Sequence, residues 1–275
     1  MRTCFIHIGT HRTGTTSIQA FLSVNRSQLL ARGVYVPETG RATNRGDSYA
    51  GHHNLAYELL ADRRFDSADG SLAELIAELD AAQQPVAVLS SELFQHLYSQ
   101  LRALRHVRTE LNGIGWTVKI IAYLRPQIAY AKSLYLELQK HALSETFSDY
   151  LQSILQNGEF AFGELHYQFS YNRLLAAFSG VFGTENILAR RYLDDSLSLL
   201  DDFIGLLRAG GPAFTLEDFA VPERLNQGNT RDQSHLLSDG LDKLPRLETQ
   251  FGVDYVTALV RYAGIGKRER DGPGA

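Results

Sequence analysis

Short, almost uninterrupted apolar runs alternate along this chain with longer stretches in which apolar residues return every three or four positions. The runs at 4–8 (CFIHI), 33–37 (GVYVP), 85–91 (PVAVLSS), 116–124 (WTVKIIAYL) and 187–192 (ILARRY) are rich in β-branched and aromatic residues and predict strands. Helical spacing predicts helices near 15–31, 54–62 and 71–83, a helix pair reaching Leu111, and further helices at 126–142, 146–156, 164–182, 197–207 and 231–250. This alternation predicts an α/β fold whose parallel sheet is covered on both faces. Phe147, Tyr150, Leu151, Ile154 and Leu155 form one helical stripe; Tyr167, Tyr171, Leu174, Leu175 and Phe178 form another. Both are expected to face the core. Residues 38–53 are polar and glycine-containing, a loop of a length that is usually functional or mobile. No repeat or linker divides 1–263, so one domain is expected, followed by a flexible tail at 264–275.

The junction after the first strand holds the densest chemical signal: Gly9, Thr10, His11, Arg12, Thr13, Gly14, Thr15 and Thr16. A helix that starts directly after a buried strand aims unpaired N–H groups and the positive end of its dipole at one spot. Glycines let the backbone approach an anion there. A nucleoside-triphosphate loop reads G-x-x-x-x-G-K-[ST]. Here the glycine spacing fits, but Thr15 stands at the lysine position and the positive charge has moved to Arg12. That pattern suits a short anion without bound metal better than a magnesium triphosphate.

With that exchange the loop resembles that of the sulfotransferases that use 3′-phosphoadenosine 5′-phosphosulfate (PAPS). Their loop reads roughly P-K-S-G-T-T, and His11-Arg12-Thr13-Gly14-Thr15-Thr16 lies over it with arginine for lysine. A second match follows the 116–124 strand: Arg125 ends it, Pro126 suits the first position of a helix, and Ser133 lies eight residues beyond Arg125. In those sulfotransferases an arginine and serine so placed hold the nucleotide's 3′-phosphate, as a guanidinium fork and a helical hydroxyl are chemically suited to do. Tyr192 falls where the family keeps a tyrosine near the adenine, although Leu193-Asp194 departs from its motif.

Over roughly 3–210 the resemblance implies a P-loop-type three-layer sandwich with a central parallel sheet, extra C-terminal helices, and PAPS as co-substrate. Two family features lack a counterpart. Ser17 stands where the stacking tryptophan would be, and the late Arg-Lys-Gly step has no match; Arg224, Asn226 and Arg231 are offered as a substitute lid.

Sulfuryl transfer needs a base to take the acceptor's proton. Glu92 follows the 85–91 strand, on the edge where open α/β sheets bind ligands. It takes the place of the family's Lys-Thr-His histidine, though it could equally cap the next helix. His53, at the end of the long loop, is the rival, since an imidazole needs less tuning than a carboxylate to serve as base. Glu38 is a third candidate. Arg12 and the helix start would stabilise charge on the departing phosphate.

Composition narrows the partners. A net charge of −4 argues against a nucleic-acid surface. Cys4, the single cysteine, cannot form an internal disulfide and fits a reducing compartment. No segment reaches membrane-spanning length, so a cytoplasmic protein is expected. No metal is expected, since His52 and His53 are adjacent and diverge. The expected acceptor is a glycan or small-molecule hydroxyl or amine. A nucleotide kinase or NTPase and a non-catalytic nucleotide-binding scaffold are the alternatives.

Overall fold

The structure is a computed structural model that describes residues 2–41, 51–208, 213–222 and 234–263. Its strands are β1 (Arg2–His7), β2 (Val34–Tyr35), β3 (Val86–Ser90), β4 (Trp116–Leu124), β5 (Glu159–Phe162), β6 (Leu165–Gln168) and β7 (Ile187–Arg191). The described helices are α1 (Thr15–Val24), α2 (Arg26–Ala31), α3 (His53–Leu59), α4 (Leu72–Ala81), α5 (Leu101–Gly113), α6 (Gln127–Lys140), α7 (Phe147–Asn157), α8 (Tyr171–Phe182), α9 (Ser196–Arg208) and α10 (Leu244–Arg261). Five strands form one parallel sheet in the order β2-β3-β1-β4-β7. β1 sits at its centre, pairing Phe5 with Val88 on one side and Lys119 on the other.

Alternation along β1 sends successive side chains to opposite faces. Cys4, Ile6 and Ile8 join the core made with α4, α5 and α8, whereas Phe5 joins the core made with α1 and α9. Helices therefore cover both faces, the three-layer sandwich that the chain pattern predicts. Cys4 is fully buried, and burial pushes its thiol up to about 12, so it stays protonated and inert. A third apolar cluster gathers α6, α7, the β5–β6 hairpin and α10 beside the sheet. These are the extra C-terminal elements. Among the described residues no helix is long and apolar enough to cross a membrane.

Three expected elements differ. The 15–31 helix breaks at Asn25, whose Nδ2 donates to the Phe21 and Ala220 carbonyls and whose Oδ1 accepts from the Ala220 N–H. These bonds end one helix and pin a segment far along the chain. The 164–182 helix starts only at Tyr171, and Tyr167 lies in β6 instead. Phe160 pairs with Tyr167 and Phe162 with Leu165 across a turn at Gly163, φ 59°. Alternating aromatics in paired strands outweigh the helical spacing that Tyr167 shares with Tyr171. The last expected helix is a 3₁₀ segment, Ser234–Lys243, followed by α10, which has Pro245 in its first turn and extends beyond residue 250. The tail 264–275, most of the 38–53 loop including Tyr49, and the lid residues Arg224, Asn226 and Arg231 lie outside the described residues.

Candidate functional site

The loop from Gly9 to Gly14 continues β1 without joining its ladder fully. Thr10 N–H donates to the Tyr123 carbonyl, and Tyr123 N–H to the Gly9 carbonyl, so the loop starts fixed against β4. Beyond that point the chain turns through left-handed geometry at Arg12 (φ 62°) and Gly14 (φ 75°), and α1 begins at Thr15. Thr13 Oγ1 donates to the Thr10 carbonyl at 2.5 Å and braces the turn. Among the described residues no hydrogen bond leaves the backbone N–H groups of His11, Arg12, Gly14, Thr15 and Thr16, while 11–12 form a turn that closes at Thr13. Thr15, 6% exposed, has an Oγ1 without a partner at the same helix start. A row of open amides, a helix dipole and an unpaired buried hydroxyl together fit an anion.

Gly14 is required twice over. Its φ disfavours a side chain, and a Cβ would lie 2.3 Å from Leu199 Cδ2 and 3.3 Å from Tyr192 Cε2. Gly14→Ala is therefore expected to cost about 1–2 kcal/mol from backbone geometry alone, with the Leu199 clash added. A clear fall in Tm by thermal denaturation checks it; an unchanged Tm sinks it.

Arg12 leaves the loop toward α6. Its Nε donates to Ser133 Oγ at 3.1 Å, and its Nη1 pairs with Glu137 Oε2 at 3.0 Å. Ser133 and Glu137 are four apart on one helix, so both meet the same guanidinium. Burial acts to raise the Glu137 carboxyl. A hydrogen bond from Lys140 and the charges of Arg12, Lys140 and His141 outweigh it and hold the group below the usual carboxylate range.

Arg125 approaches the same loop from the end of β4. Its Nη1 donates to the Arg12 carbonyl at 3.4 Å, its Nη2 lies 3.6 Å from Asp194 Oδ1, and its guanidinium stands 5.4 Å from the Tyr192 ring. Tyr171 OH donates to the Arg125 carbonyl at 2.7 Å, fixing the backbone from which that side chain departs. Pro126 proves to be the cap of α6, which starts at Gln127. Arg12, Ser133, Arg125 and Tyr192 thus surround one loop.

The base candidates approach from the β3 side. A Cβ on Gly9 would lie 3.2 Å from Glu92 Cβ, which places Glu92 against the loop's first turn. Its Oε2 accepts from Gln19 Nε2 at 3.1 Å; Gln19 lies one turn along α1 from Thr15. Glu92 also opens a 3₁₀ segment, Glu92–Ser99, capped by Ser91. His53 is the first residue of α3 and not a loop residue, and its Nδ1 lies 2.8 Å from Ser91 Oγ. Glu92 therefore packs against the loop, and His53 meets the residue that precedes Glu92. Glu38 faces elsewhere: its carboxylate pairs with Arg26 and lies 3.8 Å from Arg41.

Two contacts had only weak sequence signals. Glu137 and Gln19 each lie four residues after a residue of the expected site, Ser133 and Thr15, which is the spacing of a shared helix face. The third, His96, carries no local mark; its Nε2 lies 3.0 Å from His11 Nε2. Among the described residues no cluster of three or more His, Cys, Asp or Glu side chains is arranged to hold a metal ion.

No protein-family profile matches the chain, and a search of curated proteins returns no match. Among solved structures the chain is similar to a sulfotransferase from Alicyclobacillus acidocaldarius, at 15% identity and a TM-score of 0.44, over 92% of this chain and 96% of that one. It is also similar to a structure from the PezAT chromosomal toxin-antitoxin system of the human pathogen Streptococcus pneumoniae, at 12% identity and a TM-score of 0.31, over 90% and 87%. Similarity this distant does not extend to activity or ligand.

Proposed function

We propose that this chain is a sulfotransferase that moves the sulfuryl group of PAPS to an acceptor hydroxyl or amine, with a glycan hydroxyl as the preferred class. The observation that carries this reading is the convergence of Arg12, Arg125, Ser133 and the unpaired Thr15 hydroxyl on one loop of open amides. In this reading residues 9–16 hold the 5′-phosphosulfate end, Arg125 and Ser133 the 3′-phosphate, and Tyr192 lies beside the nucleoside. Glu92 takes the acceptor's proton while the acceptor's oxygen or nitrogen bonds to sulfur and the bond from sulfur to the bridging phosphate oxygen breaks. Charge that gathers on the leaving phosphate is met by the α1 amides and Arg12. His53, tied to Ser91, is the second candidate for the proton; Glu38 is a weaker one because its carboxylate is held by arginines.

The test is thermal stability with 3′-phosphoadenosine 5′-phosphate, the expected product, against ATP with magnesium. At a hundredfold excess over Kd the product should add about 2.7 kcal/mol to unfolding. A larger shift with magnesium ATP overturns the assignment in favour of a kinase. Arg125→Ala is expected to weaken binding of the bisphosphate by about 30-fold or more, the scale on which a hydrogen-bonded charge pair loses one partner. Calorimetric titration reads it. If neither Arg12→Ala nor Arg125→Ala alters any nucleotide binding, the chain is a scaffold and not this enzyme.

A further inference from the structure

The nucleotide loop is held from outside by a pair of histidines whose protons can be placed by elimination. His96 Nδ1 lies 2.8 Å from the His166 carbonyl oxygen, which can only accept, so Nδ1 carries the proton. A neutral His96 then offers a lone pair at Nε2. His11 Nε2, 3.0 Å away, must donate to it, which leaves His11 Nδ1 without a proton. Both rings are kept neutral. Burial, with His96, His53 and Arg12 nearby, holds His11 well below its ordinary value, and burial lowers His96 to about 4. Tyr167 closes the group, its ring centroid 5.1 Å from each imidazole.

The pair ties the loop to the 3₁₀ segment a full turn beyond the point where Glu92 already packs against Gly9. His96 lies in the 3₁₀ segment that begins with Glu92, and its anchor is the β6 strand of the hairpin. His11 directly precedes Arg12, the loop's non-glycine residue in left-handed geometry. Such a residue persists only where its neighbours over-determine it. Thr13 Oγ1 bonded to the Thr10 carbonyl holds one side, and the His96 bond holds the other.

We propose that His96 is a positioning residue for nucleotide binding: by accepting the His11 Nε2–H it fixes that tautomer and holds the loop so that Arg12 faces Ser133. The proposal rests on the nucleotide reading above, and the experiment separates the two. The side-chain nitrogens of His11 and His96 are read by ¹⁵N NMR in the ligand-free protein, which needs no nucleotide. The expected pattern is a protonated Nε2 on His11 and a protonated Nδ1 on His96; the reverse pattern overturns the proposal.

Two variants then test the consequence, with circular dichroism and Tm confirming that each is folded. In His96→Asn the amide nitrogen replaces Nδ1 and keeps the bond to His166, but no acceptor reaches His11. In His96→Gln the amide oxygen replaces Nε2 and restores that acceptor. His96→Asn should raise Kd for 3′-phosphoadenosine 5′-phosphate, and KM for PAPS, by roughly tenfold, the scale of one net hydrogen bond. Its kcat should fall much less, and His96→Gln should recover most of the affinity. A folded His96→Asn that binds as tightly as wild type, or a His96→Gln weakened equally, overturns the positioning role. Failure of the wild-type protein to bind the nucleotide sinks the nucleotide reading and with it the proposed positioning role; the NMR pattern would then report only on the tether.

Discussion

If Glu92 is the general base of the proposed sulfuryl transfer, Glu92→Gln lowers kcat by about 10²- to 10⁴-fold, the usual contribution of such a group, while nucleotide affinity stays near the wild-type value. The amide has the carboxylate's shape and can still accept from Gln19 Nε2, so the loop against which Glu92 packs keeps its support. What disappears is the ability to take a proton. Steady-state kinetics with saturating PAPS, paired with calorimetry on the product nucleotide, separates the two effects. If Glu92→Gln costs less than about tenfold and His53→Ala costs more, the proton goes to the histidine instead. Ser91 would then be its orienting partner, through the 2.8 Å contact with Nδ1.

Stability should collapse on mild acidification. His7, His52 and His96 are 0%, 2% and 3% exposed, and burial lowers their pKa values to about 3, 3 and 4. His52 shows how the neutral form is built in: its Nδ1 accepts from the Ser90 N–H at 3.1 Å and its Nε2 donates to the Pro37 carbonyl at 3.2 Å. A folded pKa below the unfolded value near 6.5 means that, as pH drops below that value, the unfolded chain binds protons the native state refuses. Stability is full above pH 6.5 and is lost as pH falls toward the folded values.

Each such histidine contributes about 1.4 kcal/mol per pH unit, so the three together contribute on the order of 4 kcal/mol per unit near pH 5. Against a typical total of about 5–15 kcal/mol, that is enough to unfold the protein within the window. Urea denaturation between pH 7.5 and pH 4.5 reads it directly. A midpoint that stays flat from pH 7 to pH 5 contradicts the buried, neutral state of these rings. Carboxylates held low, such as Asp62 with Arg64, act in a lower window and do not mask the slope.

The sheet was legible because a strand buried on both faces has to be written as an apolar run, as 4–8 and 116–124 are. The loop was legible because its demands are local: glycine where φ is positive, and a helix start directly after a strand. Arg125 and Ser133 stood out only because their strand-end and helix positions resemble the sulfotransferase motif. Partners contributed from afar were not legible. Only the helical spacing from Ser133 hints at Glu137, nothing near Asp194 announces that it will sit against a guanidinium, and nothing in FAFGELHYQ separates a hairpin from a helix except its alternating aromatics. The long-range Asn25–Ala220 bonds that accompany the break in the first helix are equally silent in the local pattern.

The pairing of Arg12 with Glu137 and of Arg125 with Asp194 has a kinetic consequence. Each of the two guanidinium groups beside the loop already has a carboxylate partner, Glu137 for Arg12 and the largely exposed Asp194 for Arg125, in a chain whose net charge is −4. If the loop takes a highly charged nucleotide, as proposed, that ligand meets little long-range attraction before contact and competes with these carboxylates as it lands. Its encounter rate should be modest and change little with ionic strength, leaving discrimination to how slowly the correct nucleotide departs.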